Sequence, residues 1–244
     1  MALLQVNGIS KAFGGLQAVK DLRFTLEPGE ILGIIGPNGA GKTTAFNMIA
    51  GYFPPDSGSI HFKGEDITGR RPWEISHRKI ARTFQLSKPF GDLSVLENVM
   101  VGGFHHQGSR AAAHRKAEAV LDFVGMSHQA EIEAHNLTAT DRKRLELARC
   151  LATDPELLLL DEVVAGATPA EATAMMDLIR KIRDNGVTLL MVEHVMRVVM
   201  GLSHRVLVLH HGITIASGAP QAVSRDPTVL KAYLGERHVQ PANP

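Results

Sequence analysis

Residues 36–44 read Gly-Pro-Asn-Gly-Ala-Gly-Lys-Thr-Thr, and no other stretch of the chain restricts its fold as tightly. Gly36, Gly41, Lys42 and Thr43 complete the spacing G-x-x-x-x-G-K-[ST]. Glycines at these places let backbone N–H groups turn inward around an anion. The lysine reaches toward β- and γ-phosphates, and the hydroxyl after it is an oxygen donor for Mg²⁺. The flanks agree. Residues 30–35 form a short apolar run that suits a buried strand, and residues 42–50 read as a helix closed by Gly51. A strand, a glycine loop and a helix N-terminus in that order make an anion site, because first-turn amides have no intrahelical partner. The predicted phosphate cradle is therefore Gly36, Pro37, Asn38, Gly39, Ala40, Gly41, Lys42, Thr43 and Thr44.

A chain of 244 residues that is 44% hydrophobic can bury a large core, enough for one domain with a subdomain. Its 26 basic and 25 acidic side chains nearly cancel, and no basic stripe interleaved with aromatics occurs. Nucleic-acid binding is not expected. Cys150 is the only cysteine, which excludes an internal disulfide and fits a reducing compartment. Residues 1–11 lack a basic segment followed by a sustained apolar one, so no signal peptide is expected. No apolar run approaches the ~18–20 residues that a membrane-spanning helix needs. A membrane role would come through a partner.

Residues 3–6 and 22–26 alternate loosely, and residues 59–63 alternate like a half-buried strand. Residues 87–154 read as a mostly helical insert, with helices predicted over 111–124 and 141–152. Residues 157–160, four leucines, look like a parallel strand that leads into Asp161-Glu162. Thr168-Pro169-Ala-Glu171 matches a capping box with proline at the first helical position, and Asn185-Gly186 ends that helix. Residues 187–192 suit another buried strand, ending at Glu193-His194. Residues 205–210 and 213–216 suggest a hairpin about His211-Gly212. Strands alternating with helices argue for an α/β sheet.

From about residue 3 to 235 the chain resembles the ATP-binding cassette (ABC) ATPases. Within that family it is most similar to the ATPase subunits of branched-chain amino acid importers. The motifs are residues 33–44, Ala81-Arg-Thr-Phe-Gln85, Val95-Leu-Glu-Asn-Val99, Val192-Glu-His194 and the tail at 226–235. The resemblance implies a P-loop NTPase core with an antiparallel β subdomain and the helical subdomain at 87–154. The whole chain, 1–244, would be one ABC ATPase domain with a helical tail at 219–244.

The resemblance also assigns roles. Asp161 would hold Mg²⁺, and its place at the end of an apolar strand supports that, since a carboxylate there is costly unless it binds something. Glu162 would polarise the attacking water as general base. Gln85 would touch Mg²⁺ or that water, His194 would contact the γ-phosphate, and Phe13 would stack on adenine. ATP and Mg²⁺ are the implied ligands. The implied partners are transmembrane permease subunits, a second ATPase subunit in a homo- or heterodimer and, indirectly, a periplasmic or extracellular solute-binding protein. The chain would sit peripherally at the cytoplasmic face of the membrane and be soluble when isolated.

Other residues carry less. His105-His106 with His114, and His210-His211, lack a Cys or acid to complete a ligand set, so surface positions are expected. Cys150 reads as a small packed side chain, and Met175-Met176 as helix core. Arg142-Lys143-Arg144 reads as a solvated helix start, or as lying near a phosphate or the partner.

The chain departs from the family pattern at Leu137-Thr-Ala-Thr-Asp141, where the signature Leu-Ser-Gly-Gly-Gln is usual. Thr138 keeps a hydroxyl for a γ-phosphate, but Ala139 and Thr140 replace glycines, and Asp141 brings a negative charge. Val163 and Thr168 stand where Pro and the D-loop Asp are usual. In this family each signature completes the partner's ATP site, so the altered residues would act there. The expected function is an ATP-hydrolysing subunit of an importer for branched-chain or related amino acids. The alternatives are another cargo (urea, amides, aromatic acids) and a weakly hydrolysing regulatory cassette. A soluble ABC protein of DNA repair or translation would need a second cassette or a long coiled coil, for which the length leaves no room.

Overall fold

The loose alternation of the first residues closes into antiparallel strands, and the fully apolar runs become parallel ones. The structure, a computed structural model, describes residues 1–84, 88–104 and 108–234. In chain order the elements are β1 (Leu4–Phe13), β2 (Leu16–Leu26), β3 (Ile31–Ile35), α1 (Lys42–Ile49), β4 (Ser57–Phe62), β5 (Glu65–Asp66), α2 (Pro72–His77), β6 (Ile80–Arg82), α3 (Val95–Gly103) and α4 (Arg110–Val124). They continue as α5 (Ala139–Leu151), β7 (Leu157–Asp161), α6 (Pro169–Asp184), β8 (Thr188–Val192), α7 (Met196–Leu202), β9 (Arg205–His210), β10 (Ile213–Gly218), α8 (Pro220–Val223) and α9 (Pro227–Leu234). The chain divides into two compact units, Met1–Pro72 with Thr188–Pro244, and Trp73–Val187.

The first unit holds an antiparallel sheet in the order β2-β1-β4-β5. Fewer than half of the residues of β1, β2 and β4 are buried, which is why these segments alternate rather than run apolar. The same unit places β3 between β8 and β9, parallel to both, and β10 turns back antiparallel on β9. Every residue of β3 and of β8 is buried, as expected for parallel strands covered on both faces. The predicted hairpin turns at His211 (φ 48°) and Gly212 (φ 78°).

The second unit pairs β6 with β7 in parallel and carries α3, α4, α5 and α6. The leucine run of β7 is wholly buried. The capping box at α6 forms as read. The Glu171 amide donates to Thr168 Oγ1 at 3.3 Å, and the Thr168 amide donates to Glu171 Oε2 at 2.7 Å. A second capping box, Ser94 with Glu97, starts α3. No helix among the described residues is long and apolar enough to cross a membrane.

Candidate functional site

The glycine loop lies in the first unit, between β3 and α1. Two of its glycines are required by the backbone. A Cβ on Gly36 (φ 154°) would stand 2.1 Å from the Leu209 carbonyl oxygen, and one on Gly41 (φ 99°) 2.4 Å from that of Ala18. The loop is braced from outside by the β9–β10 turn. The Gly212 amide donates to the Ala40 carbonyl at 3.0 Å, and the Lys20 amide to the Gly212 carbonyl at 2.8 Å. Lys42 is buried to 8% exposure, and its ammonium donates to the carbonyls of Gly36 (2.8 Å) and Pro37 (3.0 Å). Asn38, Gly39 and Thr43 face solvent, and Thr44 is half-buried.

The start of α1 differs from those of α3, α4, α5 and α6. Each of those has a Ser or Thr side chain that accepts from a first-turn amide. The N-cap of α1 is Gly41, which has no such side chain, and its first turn carries no acid. The positive end of that helix dipole is thus left for an external anion, which suits phosphate.

Phe13 and His194 lie in the same unit. The Phe13 ring is 47% exposed and meets Phe53 edge-on with centroids 5.3 Å apart. One face of so exposed a ring has area for a stacked base. The Lys11 ammonium lies 5.8 Å from its centroid and is held by Asp56 at 2.6 Å. His194 is exposed immediately after β8, whereas Glu193 before it is buried.

The acid pair lies in the second unit. Asp161 is 5% exposed, its carboxylate takes a bond from Arg82 Nη2 at 3.0 Å, and its amide donates to Thr83 Oγ1 at 3.0 Å. Glu162 is half-buried and holds φ 50°, a left-handed backbone that costs a non-glycine residue about 1–3 kcal/mol. Lys143 supports that turn by donating to the carbonyls of Glu162 (3.4 Å) and Ala165. The reading of residues 142–144 as a solvated helix start is therefore corrected: all three are half-buried, and Lys143 and Arg142 bond backbone carbonyls. Lys143 reaches the segment after β7, whereas Arg142 bonds the His135 carbonyl ahead of α5.

Thr138 is the N-cap of α5. Its hydroxyl accepts from the Asp141 amide at 3.1 Å and donates to Asp141 Oδ2 at 2.8 Å. The carboxylate of Asp141 thus complements the helix start from within. Gln85, and with it His105 and His106, lies outside the described residues. What precedes Gln85 is held by a residue that sequence reasoning missed: buried Glu146, inside α5, accepts from the Phe84 amide at 2.6 Å. Arg82 was also missed, although it stands in the quoted motif. An acid in a helix interior and a base at a strand end leave no spacing signal.

Cys150 is buried, and its Sγ–H donates to the Arg82 carbonyl at 3.3 Å. Burial, with the Glu146 charge beside it, pushes the thiol up to about 12. It therefore stays protonated at neutral pH, and Ellman's reagent is expected to react with it only under denaturing conditions. Rapid labelling of the folded protein would contradict this. The His210 and His211 rings lie 4.1 Å apart, tilted by 56° to each other, and His114 pairs with Glu118 at 3.3 Å.

A glycine cradle ahead of an uncapped helix, in a chain that also carries a buried strand-end acid pair, marks a nucleotide-phosphate-binding protein of the α/β class. The chain belongs to the ABC transporter family, whose sequence profile matches residues 19–165. A second profile, described as branched-chain amino acid ATP-binding cassette transporter, matches residues 214–239. The chain is 38% identical over 252 residues to the high-affinity branched-chain amino acid transport ATP-binding protein LivG of Escherichia coli K12, covering 96% of this chain and 98% of that one. It is 36% identical over 250 residues to BraF of Pseudomonas aeruginosa, a protein of the same description, with the same coverage. Among solved structures, a nucleotide-free ATP-binding cassette from an ABC transporter superposes with a TM-score of 0.89 at 31% identity, over 97% of this chain and all of that one. The ADP conformation of such a cassette gives 0.88 at 31% identity, over 97% of this chain.

Proposed function

We propose that this chain is the ATP-hydrolysing subunit of an importer for branched-chain or related amino acids. The observation that carries this reading is the 38% identity to LivG along 96% of the chain, with the branched-chain profile falling on the C-terminal segment. In the proposed assembly it sits peripherally on transmembrane permease subunits and pairs with a second ATPase subunit. A solute-binding protein delivers cargo from the other side. The whole chain acts as one cassette, with residues 87–154 as its helical subdomain and 219–244 as its tail.

The chemistry is positioning and charge neutralisation, since phosphoryl transfer asks little else of a protein. Residues 36–44 present backbone N–H groups and the start of α1 to the phosphates, and Lys42 supplies positive charge at the β- and γ-phosphates. Phe13 stacks on adenine. The Thr43 hydroxyl and the Asp161 carboxylate are hard oxygen donors, the type Mg²⁺ takes, and Gln85 belongs to the same set. When bound, Mg²⁺ would neutralise charge developing on the phosphates. Glu162 accepts a proton from the attacking water, and His194 bonds the γ-phosphate.

A second reading is a cassette that completes a slow site on its partner. It is favoured by the Thr138–Asp141 bond, which turns the hydroxyl proton toward a carboxylate at the place where a γ-phosphate would approach. Two anions at one helix start repel.

Uptake of labelled leucine, with urea and phenylalanine in parallel, tests the cargo in cells that lack this chain and in the same cells complemented with it. Leucine uptake is expected to fall in the deletion and return on complementation. Unchanged leucine uptake with loss of another cargo would discard the branched-chain assignment and keep the ATPase.

A further inference from the structure

The first turn of α5 departs from the family pattern at Thr140, which stands where glycine is usual. The added side chain has a partner. Thr140 Oγ1 donates to Glu171 Oε1 at 2.8 Å, across 31 residues of chain. A glycine could not make this bond. Lys143, three residues on and therefore on the same face of α5, donates to the carbonyls of Glu162 (3.4 Å) and Ala165. All of these residues belong to the second unit.

The two side chains grip opposite ends of one segment. Residues 162–168 join β7 to α6 through tight turns. The Ala165 amide donates to the Glu162 carbonyl at 3.2 Å, and the Ala167 amide to the Val164 carbonyl at 3.1 Å. Lys143 holds the near end, where Glu162 keeps φ 50°. A left-handed non-glycine residue persists where its surroundings over-determine it. Thr140 holds the far end through Glu171, whose other oxygen, Oε2, accepts from the Thr168 amide at 2.7 Å in the capping box. Bonds from Thr168, and then from Thr140, hold the Glu171 carboxyl below the usual carboxylate range, so it is an ionised acceptor at neutral pH. Fixing the Glu162 peptide fixes the direction in which its side chain leaves the backbone.

We infer that Thr140 and Lys143 are positioning residues for Glu162, a two-point brace that holds residues 162–171 on the first turn of α5 and so aims the Glu162 carboxylate. This rests on the reading of Glu162 as general base. The altered signature then acts on the acid of its own chain.

The test is steady-state phosphate release from the protein assembled with its membrane subunits, with radiolabelled ATP for the slow variants. Thr140→Val keeps the shape and removes the hydroxyl, and Lys143→Met keeps the stem and removes the ammonium. Each is expected to lower kcat about 3- to 10-fold, the range of one hydrogen bond, with KM for ATP within about twofold of wild type. Thr140→Ser, which restores the hydroxyl, is expected to recover the loss. Added to Glu162→Gln, neither variant should lower the residual turnover further, because each acts through the group already removed. A kcat within twofold of wild type for either variant would overturn the two-point brace. A further fall in the Glu162→Gln background, whether from a smaller folded fraction or from a role at another site, would overturn it equally. A raised KM with unchanged kcat would move the residues to nucleotide binding and overturn it as well. Glu162→Gln that turns over like wild type would overturn the general-base reading and this inference with it.

Discussion

Glu162→Gln is expected to reduce ATP turnover by about 10²- to 10⁴-fold, the usual worth of a positioned general base, while ATP binding persists. The substitution keeps the volume of the side chain and removes its capacity to take a proton. It should also keep the backbone. Glu162 holds φ 50°, and the turn is tied by Lys143 to the carbonyls of residues 162 and 165. None of those bonds involves the side-chain carboxylate. The measurement is steady-state phosphate release from the protein assembled with its membrane subunits, beside mant-ATP binding. Turnover within twofold of wild type would remove Glu162 from the chemistry and favour the regulatory reading. Loss of binding along with turnover would place Glu162 in holding the nucleotide.

Gly36→Ala is expected to destabilise the protein by about 1–3 kcal/mol, as overpacking does, and to weaken nucleotide binding more than tenfold. The new Cβ would stand 2.1 Å from the Leu209 carbonyl and 3.0 Å from Ala40 Cβ. Leu209 belongs to β9, and β9 pairs with β3 on one side and β10 on the other, so its backbone has no room to retreat. Gly39→Ala is the control. Its φ of 78° is also unfavourable for alanine, but nothing lies within 4 Å of the added carbon. It should cost only the backbone preference, about 1 kcal/mol. Chemical denaturation with mant-ATP titration checks both. A Gly36→Ala protein that folds and binds like wild type, or a Gly39→Ala protein that suffers more, would refute this account of the cradle.

Much of the fold was legible because its signals are local. The apolar runs of β3, β7 and β8 announce strands buried on both faces, and the capping box at Thr168 announces the start of α6. Residues 36–44 carry their meaning in spacing, since each glycine stands where the backbone of a tight turn needs it. Their family, too, follows from short motifs read in order. Residues 142–144 were misleading for a related reason. Three adjacent basic side chains look the same whether they meet water or carbonyl groups.

The sequence by itself thus determined the buried strands β3, β7 and β8, the start of α6, the glycine loop and the acid pair at the end of β7, because each is written in neighbouring residues. Only the tertiary structure decided what holds those groups in place. Arg82 meets Asp161 across 79 residues of chain, Glu146 meets Phe84 across 62, and Gly212 is brought onto the loop at Ala40. Helix and strand periods describe which face a side chain occupies, not which distant face it meets. That second choice is made by the packing of whole elements, and it set the partners of Asp161, of the Glu162 turn and of Ala40.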